Sequence, residues 1–264
     1  MERRNFLAAS IATSAAVLAG RANAQQQPAS PREFYQIRRY SLTNGPQLKL
    51  TEDFFANALI PALAKRGFGP VGAFRLDIGP ETPTYYLVIP GKDLDALARL
   101  DLELAEDQQF IQAAAPFWNA TAAASAFQRV EVSLLEAFAG WPKLTLPATS
   151  ATKAKRTFLL RTYESPSNGE HTRKVEMFHA GEFQIFVRAG FQPVFFGDTL
   201  AGSRMPNLTY MLELPDISQL DTLWNAFRND PDWKKLVADP RFSYDQIVSN
   251  ISYLVLSPLD CSQI

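Results

Sequence analysis

The sequence predicts an α+β fold in which two tandem ferredoxin-like β-α-β-β-α-β units close on each other as a pseudo-dimeric α/β barrel. Three observations carry this expectation. The stretch from Arg161 to Glu213 has a weaker copy upstream at an offset of 123 residues, the distance from Tyr40 to Tyr163. The same offset lays Gly190-Phe191 on Gly67-Phe68, Pro193 on Pro70, Asp216 on Asp93 and Leu220 on Leu97. Within each copy the helix and strand periodicities follow one order. The strands also carry large residues on both faces, so the face left bare by one unit's helices needs a partner sheet, which the other unit supplies.

Taken in order, residues 1–24 read as a signal peptide. Arg3-Arg4 precede Phe6-Leu7, a small apolar run reaches Gly20, and Ala22-Asn23-Ala24 has the small-x-small form of a cleavage site. The adjacent arginines resemble a twin-arginine export signal, although Glu2 and Ala8 depart from its pattern; an ordinary secretory signal is the alternative. Either route predicts a periplasmic or secreted chain. No cysteine follows the cleavage site to carry a lipid. Residues 25–33 form a flexible leader rich in Gln and Pro.

The first unit spans residues 34–140. Its opening strand is Phe34 to Tyr40, and Thr51 is placed as the cap of a helix bearing Phe54, Phe55, Ala58, Leu59, Ala62 and Leu63, with a kink at Pro61. Strands follow at Val71 to Ile78 and Thr84 to Ile89. Asp93 opens a helix with Leu94, Leu97, Leu100 and Leu104 on one stripe, extra helix lies between Ala113 and Phe127, and Arg129 to Phe138 alternates as a fourth strand. Residues 141–156, rich in Pro, Thr, Ser and Ala, read as a linker.

The second unit, residues 157–259, repeats the order: a strand to Tyr163, a helix from Thr172 to Ala189, strands at Pro193 to Leu200 and Leu208 to Leu214, an Asp216-capped helix with Trp224 and Phe227, and a last strand at Ile251 to Leu256. Three Asn-x-Ser/Thr sequons, at Asn119, Asn207 and Asn250, are read as chance matches.

Composition narrows the function classes. A chain of 264 residues with 47% hydrophobic and 20% charged residues buries a real core, and 26 basic against 27 acidic residues give no footprint for nucleic acid or for a membrane surface after signal removal. One cysteine, Cys261, and two histidines exclude an internal disulfide and leave no metal set. No Gly-x-Gly-x-x-Gly, P-loop, His-Glu-x-x-His or Gly-x-Ser-x-Gly occurs. No cofactor is expected.

Further into the second unit, His171-Thr172-Arg173-Lys174-Val175-Glu176-Met177-Phe178, Gly190-Phe191-Gln192-Pro193-Val194-Phe195-Phe196-Gly197, Pro206-Asn207-Leu208-Thr209-Tyr210-Met211 and Phe227-Arg228-Asn229-Asp230-Pro231-Asp232-Trp233 resemble the NIPSNAP family. The first unit resembles the same domain more faintly. The resemblance implies a dimeric α/β barrel fold; the family's animal role in mitochondrial trafficking and mitophagy does not transfer to an exported protein, and the family lends no agreed chemistry.

Candidate site residues come from the duplication. Alternation places Arg161 and Tyr163 on one strand face, opposite Leu160 and Thr162, and the offset places Arg38 and Tyr40 on the equivalent face, opposite Ile37 and Arg39. If Ile37 and Leu160 pack on the helices, two Arg-x-Tyr pairs enter the barrel, where they either fix a small anion or pair with interior glutamates as braces. On the helix, His179 is three residues from Glu176 and from Glu182, and Glu182 stands where the first copy has Leu59. A carboxylate on an apolar face is a candidate acid or base; the alternative is an edge glutamate reaching water. Tyr210, with Phe195, Phe196, Trp224, Phe227 and Trp233, has core spacing and could wall an apolar cavity. Haem would have to use His171 or His179.

The expected function is therefore an exported NIPSNAP-like protein of unassigned activity that binds a small apolar or carboxylate-bearing ligand or a protein partner, with self-association as a further option. The alternative is a cofactor-free or haem-dependent monooxygenase or isomerase of the dimeric α/β barrel type, by analogy of fold alone.

Overall fold

The computed structural model describes residues 31–264, so the export signal read in residues 1–24 lies outside it. The chain runs β1 (Phe34–Ser41), α1 (Pro46–Phe54), α2 (Ile60–Lys65), β2 (Gly72–Ile78), β3 (Thr84–Gly91), α3 (Leu94–Ala98), α4 (Leu100–Leu104), α5 (Gln108–Trp118) and β4 (Arg129–Ala137). After α6 (Thr149–Thr152) come β5 (Thr157–Glu164), α7 (Asn168–Met177), α8 (Phe183–Arg188), β6 (Gln192–Ala201), β7 (Asn207–Leu214), α9 (Leu220–Asn229), α10 (Pro231–Ala238), α11 (Tyr244–Ile247) and β8 (Asn250–Pro258).

All strand pairs are antiparallel, and the order β1-β3-β2-β8-β5-β7-β6-β4 closes on itself as a barrel. Each half contributes four strands with its first strand between its third and fourth, and the seams are β2 to β8 and β4 to β6. The 123-residue offset is kept to the residue in three places: β1 and β5, β3 and β7, and the widened π-type turns Phe55–Leu59 and Phe178–Glu182 that interrupt the first helix of each half. Asp93 and Asp216 both cap helices with their carboxylates.

The helix turns correct two expectations. Thr51 is not a cap: the helix starts at Pro46 after Gly45, and the Thr51 hydroxyl donates to the Gln47 carbonyl at 2.7 Å. The irregularity expected at Pro61 is the π-type turn before it, and the second half makes the same turn with Gln184 at the equivalent position. Proline is therefore not its cause; in the second half Gly181, at φ 139°, takes up the distortion, a backbone conformation that a side chain would oppose.

A larger correction concerns the strand faces. Ile37 and Leu160 point into the barrel, where they pack with Tyr35, Phe74, Phe158 and Phe195. Arg38, Tyr40, Arg161 and Tyr163 lie on the outer face of the sheet, under the helices, within two separate cores. Alternation decides which residues share a face, and with apolar residues on both faces it does not decide which face the helices cover. The segment at 141–156 is laid onto the molecule: the Thr145 amide donates to the Val194 carbonyl at 2.8 Å, Leu144 packs on the barrel core, and Arg156 donates to the Ile264 carbonyl at 2.9 Å.

Candidate functional site

β5 lies between β7 and β8, and its register puts Arg161 opposite Tyr210 on one side and Tyr253 on the other. Cross-strand neighbours on one face pack side by side, so the sheet alone brings two phenol rings to the guanidinium. Tyr163, two residues along β5, and Trp224, from α9, complete a box: the guanidinium carbon is 4.4 Å from the Trp224 ring centre, 5.0 Å from Tyr253, 5.2 Å from Tyr163 and 5.8 Å from Tyr210. The Trp224 indole donates to the Tyr253 hydroxyl at 3.2 Å, which fixes both walls.

Arg161 opens onto a cavity of about 560 Å³ walled by Tyr163, Trp224, Trp233, Tyr244, Ile251 and Tyr253. Its other charged lining residues, Arg228 and Asp245, are both exposed. Among the described residues Arg161 has no carboxylate partner, and its Nε is buried without an acceptor. Burial acts against its charge and the phenol oxygens of Tyr210, Tyr163, Tyr244 and Tyr253 act for it; the balance holds the guanidinium above the ordinary arginine pKa. It is a permanent cation facing an aromatic cavity.

Behind this wall, on α7 and the π-type turn, Lys174 and Glu182 form an ion pair at 2.9 Å with side chains 0% and 1% exposed. Lys174 Nζ also donates to the Tyr244 hydroxyl at 3.2 Å and lies 5.0 Å from the Tyr163 ring centre. Glu182 Oε1 has no hydrogen-bond partner. Glu182 is thus neither an acid on an apolar face nor an edge residue reaching water; Lys174, which the sequence reading left unassigned, neutralises it from two turns earlier. Tyr210 donates to the Tyr163 hydroxyl at 3.1 Å, and burial first, then neighbouring phenol and carboxylate groups, push Tyr210 and Tyr244 well above the ordinary tyrosine pKa.

The seven candidates therefore divide. Arg161, Tyr163, Glu182 and Tyr210 share one centre. His179 is exposed and outside it: Nδ1 contacts the Val175 carbonyl at 2.9 Å, Nε2 accepts the Gly140 amide at 3.1 Å, and the ring packs on Phe138 and Phe183, so it ties the helix to the end of β4. Arg38 and Tyr40 occupy the matching place in the first half, where Arg38 donates to Gln36 and, at 2.8 Å, to Asp101. That arginine is a brace, over a smaller cavity of about 290 Å³. Neither histidine is placed to ligate haem in the cavity: both His179 nitrogens are engaged, His171 Nε2 is held by Asp198 at 2.7 Å, and neither imidazole lines it.

Lys174, Tyr244 and Tyr253 escaped the sequence reading, and Trp224 entered it only among the aromatics that could wall a cavity. Lys174 stands over Thr51 and Trp224 over Asp101 at the same offset, so a position-by-position comparison of the copies finds both. Tyr244 and Tyr253 have no such signal, because β8 follows β4 at a different offset and α11 has no first-half counterpart.

Residues 158–263 match the NIPSNAP family. No curated protein matches the chain. Among solved structures, a protein of Lactobacillus acidophilus NCFM provisionally assigned as a monooxygenase superposes with a TM-score of 0.57 at 11% identity, covering 86% of this chain and 94% of its own. A second protein so assigned, from Fusobacterium nucleatum subsp. nucleatum, superposes at 0.52 with 10% identity, covering 87% and 93%. An uncharacterised NIPSNAP-like domain protein from Burkholderia xenovorans covers 40% of this chain and 86% of its own at 13% identity and a TM-score of 0.35. At these identities the first two likenesses show a shared fold.

Proposed function

We propose that the chain binds a small organic acid with an apolar body, its carboxylate on Arg161 and its body among the aromatic walls of the second-half cavity. The observation that carries this reading is a half-buried guanidinium whose Nε is buried without an acceptor and which has no carboxylate partner among the described residues, at the head of a cavity of about 560 Å³. Ring faces offset part of the cost of burying the cation, at about 0.5–2 kcal/mol each. They do not accept the in-plane N–H groups, and each buried donor left without an acceptor costs about 1–3 kcal/mol. A carboxylate takes two of them in a fork, and cavities of about 300–1,000 Å³ suit such ligands.

Thermal shift of the mature protein against fatty and aromatic acids, each beside its neutral amide, tests the proposal. A cognate acid at 100 times its Kd adds about 2.7 kcal/mol of stability. The amide adds far less, and Arg161→Met removes the effect of the acid. Equal stabilisation by acid and amide rejects the reading.

A cofactor-free oxygenase or isomerase is the second reading, supported by the buried Lys174–Glu182 pair behind the cavity phenols. Oxygen uptake, or conversion of the bound acid followed by mass spectrometry, separates it from binding alone. The proposal also takes the first unit as a diverged NIPSNAP copy, which the shared offset and paired π-type turns support, and takes the protein as exported, which the arginines and the Ala22-Asn23-Ala24 site support. Protein recovered from the periplasm then starts at Gln25.

A further inference from the structure

The donors around the cavity outnumber their acceptors by more than one carboxylate removes. Arg161 brings its unpaired N–H groups. Tyr163 already accepts from Tyr210, and Tyr244 already accepts from Lys174, so each phenol oxygen is engaged from behind and keeps its own hydrogen to give. The Tyr163 and Tyr244 rings meet edge to face, 6.4 Å between centres, so the two hydroxyls sit on one wall. Neither hydrogen has an acceptor among the described residues, although both side chains line the cavity.

Lys174 sets Tyr244 apart from Tyr163. Its ammonium hydrogens go to Glu182 at 2.9 Å, to the Met177 sulfur at 3.5 Å and to the Tyr244 hydroxyl at 3.2 Å. A phenol accepting from an ammonium turns its own hydrogen away from that charge and donates it more strongly. Burial keeps the Tyr244 hydroxyl protonated, so it stays a donor. The first half has none of this: Thr51 and Leu59 fill the places of Lys174 and Glu182 beside the same π-type turn, with both residues buried. A buried ion pair is often no more stable than the apolar packing that can replace it, so the fold does not require the pair.

We propose that Tyr244, set by the Lys174–Glu182 pair, reads a second oxygen on the ligand, so that the site selects oxo- or hydroxy-substituted apolar acids over plain ones. This rests on Arg161 holding the carboxylate, and the experiment separates the two. Calorimetry on the mature protein compares 3-phenylpropanoate with phenylpyruvate, and decanoate with 2-oxodecanoate, the members of each pair differing by one carbonyl. The wild type binds the 2-oxo acid of at least one pair about tenfold tighter, the worth of one good hydrogen bond. Tyr244→Phe, which keeps the ring, brings that ratio to within about twofold. Lys174→Thr with Glu182→Leu, the residues of the first half, lowers the ratio in a protein that still unfolds cooperatively. Plain and oxo acids binding equally to the wild type, or a ratio that survives Tyr244→Phe, overturns the assignment of Tyr244 while leaving Arg161 as the carboxylate site. Failure of all four acids to bind overturns the carboxylate site and the assignment with it.

Discussion

The two halves of the barrel put an arginine at the same position of the same strand and treat it in opposite ways. Arg38 meets Asp101 and Gln36; Arg161, 123 residues later, meets Trp224 where Asp101 stood, with Tyr253 and Tyr210 beside it. On the helix above, Thr51 and Leu59 become Lys174 and Glu182. Backbone geometry is not what separates them, since strands and π-type turns coincide. The lesson is that one scaffold tolerates a closed polar account in one half and an open one in the other, and that the open half holds the larger cavity.

The largest expected effect comes from breaking the helix pair on one side only. Glu182→Leu leaves Lys174 charged and buried alone, and urea unfolding should show a loss of about 3–5 kcal/mol. Adding Lys174→Thr should recover most of it, because the first half packs those same residues. A loss below about 1 kcal/mol in the single variant would mean the pair is not held dry.

Next in size is the conversion of the open arginine to the closed form. Trp224→Asp gives Arg161 the carboxylate that Arg38 has, and the stabilisation of about 2.7 kcal/mol from an acid at 100 times its Kd should vanish. Retained stabilisation would place the ligand elsewhere. The reciprocal change is smaller. Asp101→Ala frees Arg38, but the Asp101 side chain is 56% exposed, so solvent screening limits the loss to about 1 kcal/mol. Calorimetric stoichiometry for the acid should then rise above one per chain; a value that stays at one would show that Asp101 is not what closes the first-half site.

The smallest effect is one of pH. Asp216 caps the 3₁₀ turn leading into α9, which carries Trp224, and accepts from Lys155 at 2.6 Å; that bond, with those to Ser218, lowers its pKa to about 2, below the ordinary aspartate range. A depressed carboxylate pKa contributes stability above the unfolded value and loses it as pH falls through the folded value, so the contribution fades between about pH 4 and 2. Asp216→Asn should flatten that limb of an acid titration followed by circular dichroism, and an unchanged limb would show that the cap is not linked to global stability.

Much of this was legible in the sequence because two halves built in one order serve as controls for each other. The strand order, the helix caps at Asp93 and Asp216, and the odd position of Glu182 over Leu59 all came from comparing the copies. The inward or outward sense of Arg161 did not, because Leu160 and Tyr163 are equally suited to burial and only the packed helices choose between their faces. Tyr244 and Tyr253 were out of reach for another reason: α11 and β8 bring them to Arg161 across more than eighty residues of chain, and no local period encodes such a meeting.

The closed strand order carries one more consequence. In a barrel assembled from two identical chains, every substitution is made twice, and a residue good for binding but poor for stability burdens both sites at once. Here the seams β2 to β8 and β4 to β6 join halves of a single chain, so each position is written once. Symmetry then no longer forces a compromise. One half can keep Asp101 against its arginine and serve as ballast, while the other gives up that partner and keeps a cation waiting.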